Sequence, residues 1–515
     1  MKFYNSYIEL GEQFFDRSKP EKVPEPTLLL WNNELANDLS ISQSLQNNVE
    51  LLRHYCTGNE FPDGITPIAL AYSGHQFGSF NPNLGDGRAH LLGEMIDKNG
   101  KRQDVQLKGS GQTAYSRRGD GKCALGPAIR EFLMSEALYA LGVPTSRCLA
   151  VGSTGEIINR GLAKAGAVVT RVASSHIRVG SFQHFAARGD IQSLKILLNY
   201  TIERHFPEIN SKNLTEEDRV LQFLECAIEK QITLITQWLR IGFIHGVMNT
   251  DNTAISGETI DFGPCAMLGL YDENAVYSSI DENGRYAFGN QGKIAHWNMA
   301  RLADCLLLLL NKISEDKSDD EDEVNELKDQ LFEKTEAVIH QYNHKYHQAY
   351  YQMFANKIGL SNYNEDSILL INDLLSLMKT NKLDYTQTFY SLTKSLTVDK
   401  KQYEIVSELE SWYSSWLEHL NQTEQSLEAA LTLMLNNNPV VIPRNHHVEA
   451  ILERCELVVM SNLQNKTGQN KYVVAEIVEE FLKVLRSPYK EITATKNYQD
   501  TPTDNDRYYQ TFCGT

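Results

Sequence analysis

The sequence predicts an α+β fold in two lobes, a β-rich N-terminal lobe and a larger helical C-terminal lobe that ends in extra helices. Two observations predict it. Residues 61–185 are rich in glycine and in short strand-forming runs, and residues 186–490 carry long segments with the apolar spacing of helices. Residues 1–60 predict an N-terminal extension of short helices and loops packed on this core. Residues 491–515 predict an extended tail.

The composition is that of a globular protein with an excess of acidic residues. The chain has 515 residues, of which 42% are hydrophobic and 22% are charged, and its formal net charge is −17. Because nucleic acids and anionic membrane surfaces bind basic faces, this charge argues against both as partners. It still allows a small basic pocket that binds a nucleotide.

The cysteines and the N-terminal residues predict a cytoplasmic protein. None of the eight cysteines forms a C-x-x-C pair, and they are scattered through predicted core segments, as in a reduced protein. The first 23 residues lack the apolar segment of a secretory signal and are too acidic for a transit peptide. No stretch approaches the roughly 18–20 apolar residues of a membrane span, and the apolar run at 306–310 is interpreted as the end of a buried helix.

The elements of the first lobe follow from turn and cap signals. The segments GRAHLLGEMI and QDVQLKG, joined by an Asn-Gly turn, predict a β-hairpin that reaches Lys108. The next segment, GPAIREFLMSEALYALGVP, predicts a helix with Pro127 in its first turn and Gly142 at its exit. Two further strands are predicted from CLAVGSTG and AGAVVTRVAS.

The second lobe is predicted from helical periodicity. Three long helices are expected from SLKILLNYTIERHF, EEDRVLQFLECAIEKQITLITQWLRIGF and IAHWNMARLADCLLLLLNKI. Between the second and the third lies HGVMNTDNTAISGETIDFG, residues 245–263. The acidic block SEDKSDDEDEVNE at 314–326 predicts a mobile, solvated loop.

Residues 245–263 predict the metal site of a protein-kinase-like fold. Kinases place an Asn five residues after the catalytic Asp, and an Asp-Phe-Gly triplet follows. Here Asn252 and Asp261 supply the amide and carboxylate oxygens that suit Mg²⁺, with Mn²⁺ as an alternative. Val247 stands where a kinase has its catalytic Asp, and Asp251 is the carboxylate available nearby.

Lys108 at a strand end is typical of a lysine that neutralises nucleotide phosphates. Such a lysine needs a carboxylate on the next helix, where Glu131 is the first candidate and Glu136 the rival. Arg171 and Arg178, seven residues apart, are candidates for further anion contacts. Surface charges and ordinary salt bridges are the alternative interpretation of all five.

Two glycine-rich segments flank Lys108 and predict close contacts to phosphate. Before it, Gly85 and Gly87 would let backbone amides approach phosphate oxygens, and Arg88 could add a forked contact. After it, Asp120 and Gly121 lie in a flexible basic loop. Ordinary turns would have a similar sequence.

Five long motifs together resemble the selenoprotein O family. They are YSGHQFGSFNPNLGDGRAHLLGE, DVQLKGSGQTAYSRRGDGKCALGPAIREFLMSEALYALGVPTSR, TRVASSHIRVGSFQ, HGVMNTDNTAISGETIDFGP and NPVVIPRNHHVE. The resemblance runs from residue 3 to the last residues. It implies a kinase-like fold that acts as a protein adenylyltransferase, binding ATP in an orientation flipped relative to kinases. Such an enzyme transfers AMP to Ser, Thr or Tyr hydroxyls of proteins and releases pyrophosphate.

The resemblance also implies a role for each motif residue. Lys108 would hold phosphates, with Glu131 as its ion-pair partner. Asn252 and Asp261 would bind Mg²⁺, and Asp251 would be the proton acceptor. The residues expected to contact the nucleotide are Gly85, Gly87, Arg88, Asp120, Gly121, Arg171, Arg178 and, through the metal, Asp261.

The tail carries a second feature of the family. Some members have selenocysteine third from the C-terminus, where this chain has Cys513. A disulfide from Cys513 to Cys265, in the loop after Asp261, is one hypothesis, and Cys265 as core filler is the other.

Two other functions are compatible with the sequence. An ATP-dependent phosphotransferase would place the γ-phosphate on its acceptor, whereas an adenylyltransferase would place the α-phosphate there. A non-catalytic nucleotide-binding scaffold would bind ATP without turnover.

Overall fold

The computed structural model describes residues 1–397, 406–465, 471–501 and 509–512. It is a mixed α/β structure with a β-sheet region followed by a helical C-terminal part, as the sequence predicts. Cys513, and with it the hypothesis of a disulfide to Cys265, lies outside the described residues. Within the described ranges, no helix is both long and apolar enough to cross a bilayer.

An antiparallel sheet of eight strands forms the first region. The order in this sheet is β1-β3-β6-β7-β10-β9-β2, β8 pairs with β10, and β4 and β5 form a separate hairpin. The strands are β1 (Phe15–Arg17), β2 (Thr27–Trp31), β3 (Ile68–Leu70), β4 (Gly74–Gln76), β5 (Ser79–Asn81), β6 (Ala89–Ile96), β7 (Arg102–Lys108), β8 (Cys123–Ala124), β9 (Arg147–Asn159) and β10 (Ala163–Ala173). A further short pair, β11 (Phe243–Ile244) with β12 (Ala266–Met267), lies in the helical region.

The predicted hairpin is β6–β7. Asp97 begins its turn, and its Oδ1 accepts the backbone N–H of Asn99 at 2.8 Å and that of Lys101 at 2.9 Å. In the register of the sheet, Lys108 lies between Ala89 of β6 and Val169 of β10. Lys108 therefore ends a central strand, and strand pairing on both sides fixes the position of its backbone.

Residues 1–60 contain two strands that their sequence did not indicate. β1 pairs with β3, and β2 pairs with β9, so this segment supplies both edges of the sheet. β1 has only three residues, and β2 (TLLLW) lacks the alternation that marks a half-buried strand. Neither could be distinguished by its sequence from an irregular segment.

The helices dominate the rest of the chain. α4 packs on β9 and β10, while α8, α9 and α10 pack on one another. The helices are α1 (Asn33–Asp38), α2 (Gln43–Gln46), α3 (Val49–Thr57), α4 (Leu125–Ala140), α5 (Val179–Ala186), α6 (Ile191–His205), α7 (Pro207–Asn210), α8 (Glu216–Ile241), α9 (Gln291–Glu315), α10 (Glu321–Lys357), α11 (Glu365–Thr380), α12 (Tyr385–Ser395), α13 (Glu410–Gln422), α14 (Leu427–Asn437), α15 (Asn445–Asn465) and α16 (Lys471–Leu485).

α8 and α9 have the ends and the burial that their sequences predict. The Thr215 hydroxyl caps α8 by accepting the N–H of Asp218 at 3.2 Å, and Gly242 ends the helix with a left-handed φ of 78°. In α9, Leu306 and Leu310 are buried. This confirms that the apolar run belongs to a core helix.

The prediction of a mobile loop at 314–326 is wrong. α9 extends to Glu315 and α10 begins at Glu321, so only residues 316–320 connect them. Asp320 caps α10, and its carboxylate accepts the N–H groups of Asp322 and Glu323. Acidic side chains are favoured in the first turn of a helix by the helix dipole. The acidic block is thus a helix start.

The C-terminal tail contacts the segment that follows Asp261. Thr511 donates from Oγ1 to the carbonyl of Pro264 at 2.6 Å and from its backbone N–H to Tyr277 at 2.7 Å. The hydroxyl of Tyr509 donates to Glu449 of α15 at 2.6 Å. The tail thereby bridges α15 and the loop beside the candidate site.

Candidate active site

A cavity of about 880 Å³ opens between the sheet and the segment that contains Asp251 and Asp261. A separate cavity of about 710 Å³ is lined by tyrosines of α10 and contains none of the predicted site residues. The larger cavity is lined by all of them: Gly85, Gly87, Arg88, Lys108, Asp120, Gly121, Glu131, Arg171, Arg178, Asp251, Asn252 and Asp261.

Glu131 is shared by two cations from neighbouring strands. Its Oε2 lies 2.8 Å from Nζ of Lys108, and its Oε1 lies 2.6 Å from Nη2 of Arg171. The rival carboxylate, Glu136, is held by Arg147 at 2.9 and 2.6 Å. The structure therefore pairs Lys108 with the first candidate on α4, and Glu136 belongs to a different ion pair.

Asp261 is contacted by three cationic side chains in the cavity. Its Oδ1 lies 2.7 Å from both Lys108 Nζ and Arg171 Nη2, and its Oδ2 lies 3.5 Å from Arg178 Nη1. Burial raises the pKa of the Asp261 carboxyl, but Arg171 and Lys108 outweigh it and hold that pKa well below its ordinary value. Asp261 is therefore ionised throughout the physiological range.

The backbone at Asp261 is unusual. Its φ of 64° lies in the left-handed region, which residues with a Cβ rarely adopt. His245 contacts the residue before Asp261. Its Nε2 lies 2.8 Å from the carbonyl oxygen of Ile260, and its ring stacks on Trp238. Such conformations persist only where the surroundings fix them, and they cluster at functional sites.

Asp251 has an environment opposite to that of Asp261. Burial raises its pKa to about 6, and Arg178 opposes this only in part. The guanidinium of Arg178 donates to the main-chain carbonyl of Asp251 at 2.8 Å. Oδ2 of Asp251 accepts from Gln76 at 3.2 Å, while Oδ1 finds no partner among the described residues. This Oδ1 is buried, and a Cβ on Gly74 would lie 2.9 Å from it.

Asn252 is oriented by a hydrogen bond to the backbone. Its Nδ2 donates to the carbonyl of Val247 at 3.0 Å, which leaves the amide oxygen as the remaining ligand atom. Val247 itself is buried, with 6% of its surface exposed. The position at which the kinase sequence pattern has its base is therefore occupied by an apolar side chain packed into the core.

Gly85 and Gly87 allow two loops to touch. Gly85 has a φ of 73°, and a Cβ there would lie 2.2 Å from the ring of Tyr115. A Cβ on Gly87 would lie 2.8 Å from the Tyr115 carbonyl. Both glycines are needed for packing against the loop after Lys108. This role is additional to the phosphate contact that the sequence predicts.

Asp120 and Gly121 lie in the loop that contacts those glycines. Asp120 receives two hydrogen bonds from Arg160, at 2.7 and 2.8 Å, and its side chain remains half exposed. Gly121 has a φ of 68°, and a Cβ there would lie 2.1 Å from the carbonyl of Gly111. These two residues line the rim of the cavity and shape the loop.

Asp86 is a cavity residue that the sequence analysis did not single out. It is buried, its Oδ2 accepts from Gln106 at 2.9 Å, and its Oδ1 lies 3.7 Å from Arg178. Burial raises the pKa of Asp86, and Arg178 opposes this shift. The guanidinium of Arg178 also lies over the ring of Tyr72. The sequence signal that could have identified Asp86 is its position between two glycines.

Comparison with known proteins gives consistent matches over the chain. Residues 1–478 match the family model described as protein adenylyltransferase SelO. The chain is 46% identical over 515 residues to a protein nucleotidyltransferase YdiU of Teredinibacter turnerae, with 100% of both chains covered. It is 45% identical over 517 residues to a YdiU of Pseudoalteromonas translucida, again with 100% of both covered. A YdiU of Bacillus cereus (strain B4264) is 44% identical over 512 residues, covering 99% of this chain and 98% of the relative.

Proposed function

Because the chain belongs to the protein adenylyltransferase SelO family, we propose that it transfers AMP from ATP to Ser, Thr or Tyr hydroxyls of proteins and releases pyrophosphate. The observation that carries this proposal is the pair Asp251 and Asp261. They line one cavity, yet their surroundings move their pKa values in opposite directions. Such a separation is typical of sites in which one carboxylate handles protons and the other remains charged.

We also propose that the two regions are the lobes of a protein-kinase-like fold. Residues 61–185 would be the nucleotide-binding N-lobe and 186–490 the helical C-lobe, with 1–60 as the extension and 491–515 as the tail. Support comes from the central lysine strand, the carboxylate of α4 that pairs with it, and the position of Asp261 across the cavity.

The cations of the cavity fit the phosphates of ATP. Lys108, Arg171 and Arg178 all approach the single carboxylate of Asp261. Phosphate oxygens would compete with this carboxylate for the three cations, because charge-assisted contacts to phosphate are strong and often forked. The binding of ATP would thus free the oxygens of Asp261. Arg88 and the amides near Gly85 and Gly87 would add contacts at the mouth.

The donor set also fits Mg²⁺, with Mn²⁺ as the alternative. The ionised carboxylate of Asp261 and the amide oxygen of Asn252 line the same cavity, and Mg²⁺ is commonly held by one or two protein oxygens together with phosphates. When bound, the ion would screen charge on the phosphates and on the pyrophosphate leaving group.

Asp251 would accept the proton of the acceptor hydroxyl. As that oxygen bonds to the α-phosphorus of ATP, the bond to pyrophosphate breaks and the proton passes to the carboxylate of Asp251, which lines the cavity. A pKa of about 6 leaves this carboxylate ionised at neutral pH and more basic than an ordinary aspartate. Val247, which stands where a kinase has its catalytic Asp, has no group that could accept this proton.

The proposal is tested with ATP labelled on either the α- or the γ-phosphate. We expect α-label to become bound to protein, with one pyrophosphate released per AMP transferred. Label transferred only from the γ-position would overturn the proposal in favour of a phosphotransferase. Saturable ATP binding without any transfer in the wild type would support the non-catalytic scaffold. Asp251→Asn is the control variant, which measures label transfer in the absence of the proposed base.

A further inference from the structure

Three metal-ligand side chains meet where the C-terminal segment crosses the start of α15. Nε2 of His446 lies 2.9 Å from Oδ2 of Asp500, and Nε2 of His447 lies 2.6 Å from Oδ1. One ligand atom from each of the three residues lies within 4.8 Å of the other two. None of them lines the cavity proposed to bind ATP.

The residues before the two histidines are fixed by other contacts. Arg444 forms a forked pair with Asp384, with distances of 2.9 and 3.0 Å, so its charge is compensated. Asn445 exchanges two hydrogen bonds with the backbone of Met267, at 2.8 and 2.9 Å. The helix start that carries the imidazoles is therefore preorganised, which reduces the entropic cost of binding a ligand there.

We propose that His446, His447 and Asp500 form a binding site for a divalent transition metal of the Zn²⁺ type. Two imidazoles and one carboxylate are a frequent donor set for such ions, and water would complete the coordination because 56% of the Asp500 side chain is exposed. In a bound state the ligand atoms would lie about 3.3 Å apart, since each would lie about 2 Å from the ion. The protons on Nε2 would then reside on Nδ1.

The metal would fasten the tail to α15. Asp500 belongs to the segment that follows α16, whereas the histidines open α15. One turn further along α15, Glu449 accepts from Tyr509 of the tail and pairs with Arg130 of α4. A metal at Asp500 would thus hold the tail upstream of its contact with Glu449. This inference does not depend on the proposed function.

The test uses Zn²⁺ titration of the metal-free full chain by calorimetry in excess Mg²⁺. We expect the wild type to bind one more Zn²⁺ per chain than either Asp500→Ala or the double variant His446→Ala/His447→Ala. Zn²⁺ should also raise the melting temperature of the wild type and not that of these variants. The matched control is His340→Ala, which removes an exposed histidine paired with Glu336 and should bind like the wild type.

Equal Zn²⁺ stoichiometry in the wild type and the variants would overturn the proposal, as would the absence of saturable binding. Circular dichroism without metal checks that each variant is folded. Asp500→Asn provides a second, more conservative variant, which should bind Zn²⁺ at least tenfold more weakly. Co²⁺ substitution offers an independent readout, because absorption from a His-and-carboxylate site should appear in the wild type and be lost in the double variant.

Discussion

Asp251 and Asp261 show how neighbouring side chains decide what a carboxylate can do. Asp261 lies among Lys108, Arg171 and Arg178, so its ionised form is strongly stabilised. Asp251 is buried, and one of its oxygens lacks a partner among the described residues. Both residues could be predicted from the sequence as candidates. Their difference could not, because it depends on cations that come from distant segments of the chain.

Asp251→Asn should abolish most catalysis while stabilising the fold. We expect AMP transfer to fall by about 10²–10⁴-fold, as for the loss of a general base. The folded pKa of about 6 exceeds the unfolded value of about 3.9, so at neutral pH the ionised Asp251 destabilises the native state. Removing this charge should raise the free energy of unfolding by about 1–3 kcal/mol. Radiolabel transfer and denaturant titration measure the two effects. Unchanged transfer would exclude Asp251 as the base.

The pH dependence follows from the same group. Because a base must be deprotonated, kcat/KM for AMP transfer should rise with pH through about 6 and then level off. The stability contribution has the opposite direction: it is present below the unfolded pKa and is lost as pH rises through the folded value. A pH–rate profile that is flat between pH 5 and 7 would contradict the assignment.

Glu131→Gln should weaken ATP binding because it releases Lys108 and Arg171 from their shared carboxylate. Removal of one partner of a buried ion pair commonly costs about 3–5 kcal/mol in stability. The matched control is Glu136→Gln on the same helix, which breaks the pair with Arg147. Both variants should be destabilised, but only the first should raise the Kd for ATP, measured by calorimetry. Equal effects on Kd would argue against a specific role for Glu131.

At the scale of the elements, the loop before β6 that contains Gly85 allows a test of its packing against Tyr115. In Gly85→Ala, a Cβ would meet the ring of Tyr115 at 2.2 Å, so the loop should be displaced and ATP affinity should fall. Gly100→Ala is the control, since its φ of 77° is similar and nothing lies within 4 Å. Both should lose about 1 kcal/mol from the left-handed backbone. The additional loss in Gly85→Ala, measured by thermal unfolding and by Kd for ATP, isolates the contact with Tyr115. No additional loss would show that the loop adapts.

The elements that the sequence predicts correctly are those determined by interactions between residues close together in the chain. The β6–β7 hairpin, α4, α8 and α9 were predictable from turn, cap and periodicity signals. The edge strands β1 and β2 were not, because their pairing depends on β3 and β9 far along the chain. The prediction of a loop at 314–326 is wrong because a run of acidic residues is typical of solvated chain, whereas here Asp320 caps a helix.

At the scale of the whole molecule, the site is assembled from segments up to 176 residues apart, from Gly85 to Asp261. Their motifs could be recognised, and all the predicted residues do line one cavity. What remained hidden was which side chains share a partner, such as Arg171 with Glu131, or Arg178 with Asp86. Such contacts depend on how strands, helices and loops from distant parts of the chain meet.

The tail provides a prediction at this scale. Thr511→Val removes the hydroxyl that donates to Pro264 but keeps the shape of the side chain. We expect faster hydrogen exchange in residues 264–280 and a stability loss of about 1 kcal/mol, the typical net value of one hydrogen bond. Thr511→Ser keeps the hydroxyl and should behave like the wild type in exchange. If Thr511→Val exchanges at the wild-type rate, the tail does not support this loop.

The position of Thr511 has a consequence for biosynthesis. Chains fold from the N-terminus while they are being made, so the sheet and the long helices can assemble before the tail leaves the ribosome. The loop behind Asp261, however, receives its contact from Thr511, which is translated 247 residues after Pro264. A nascent chain therefore lacks this support until Thr511 has left the ribosome.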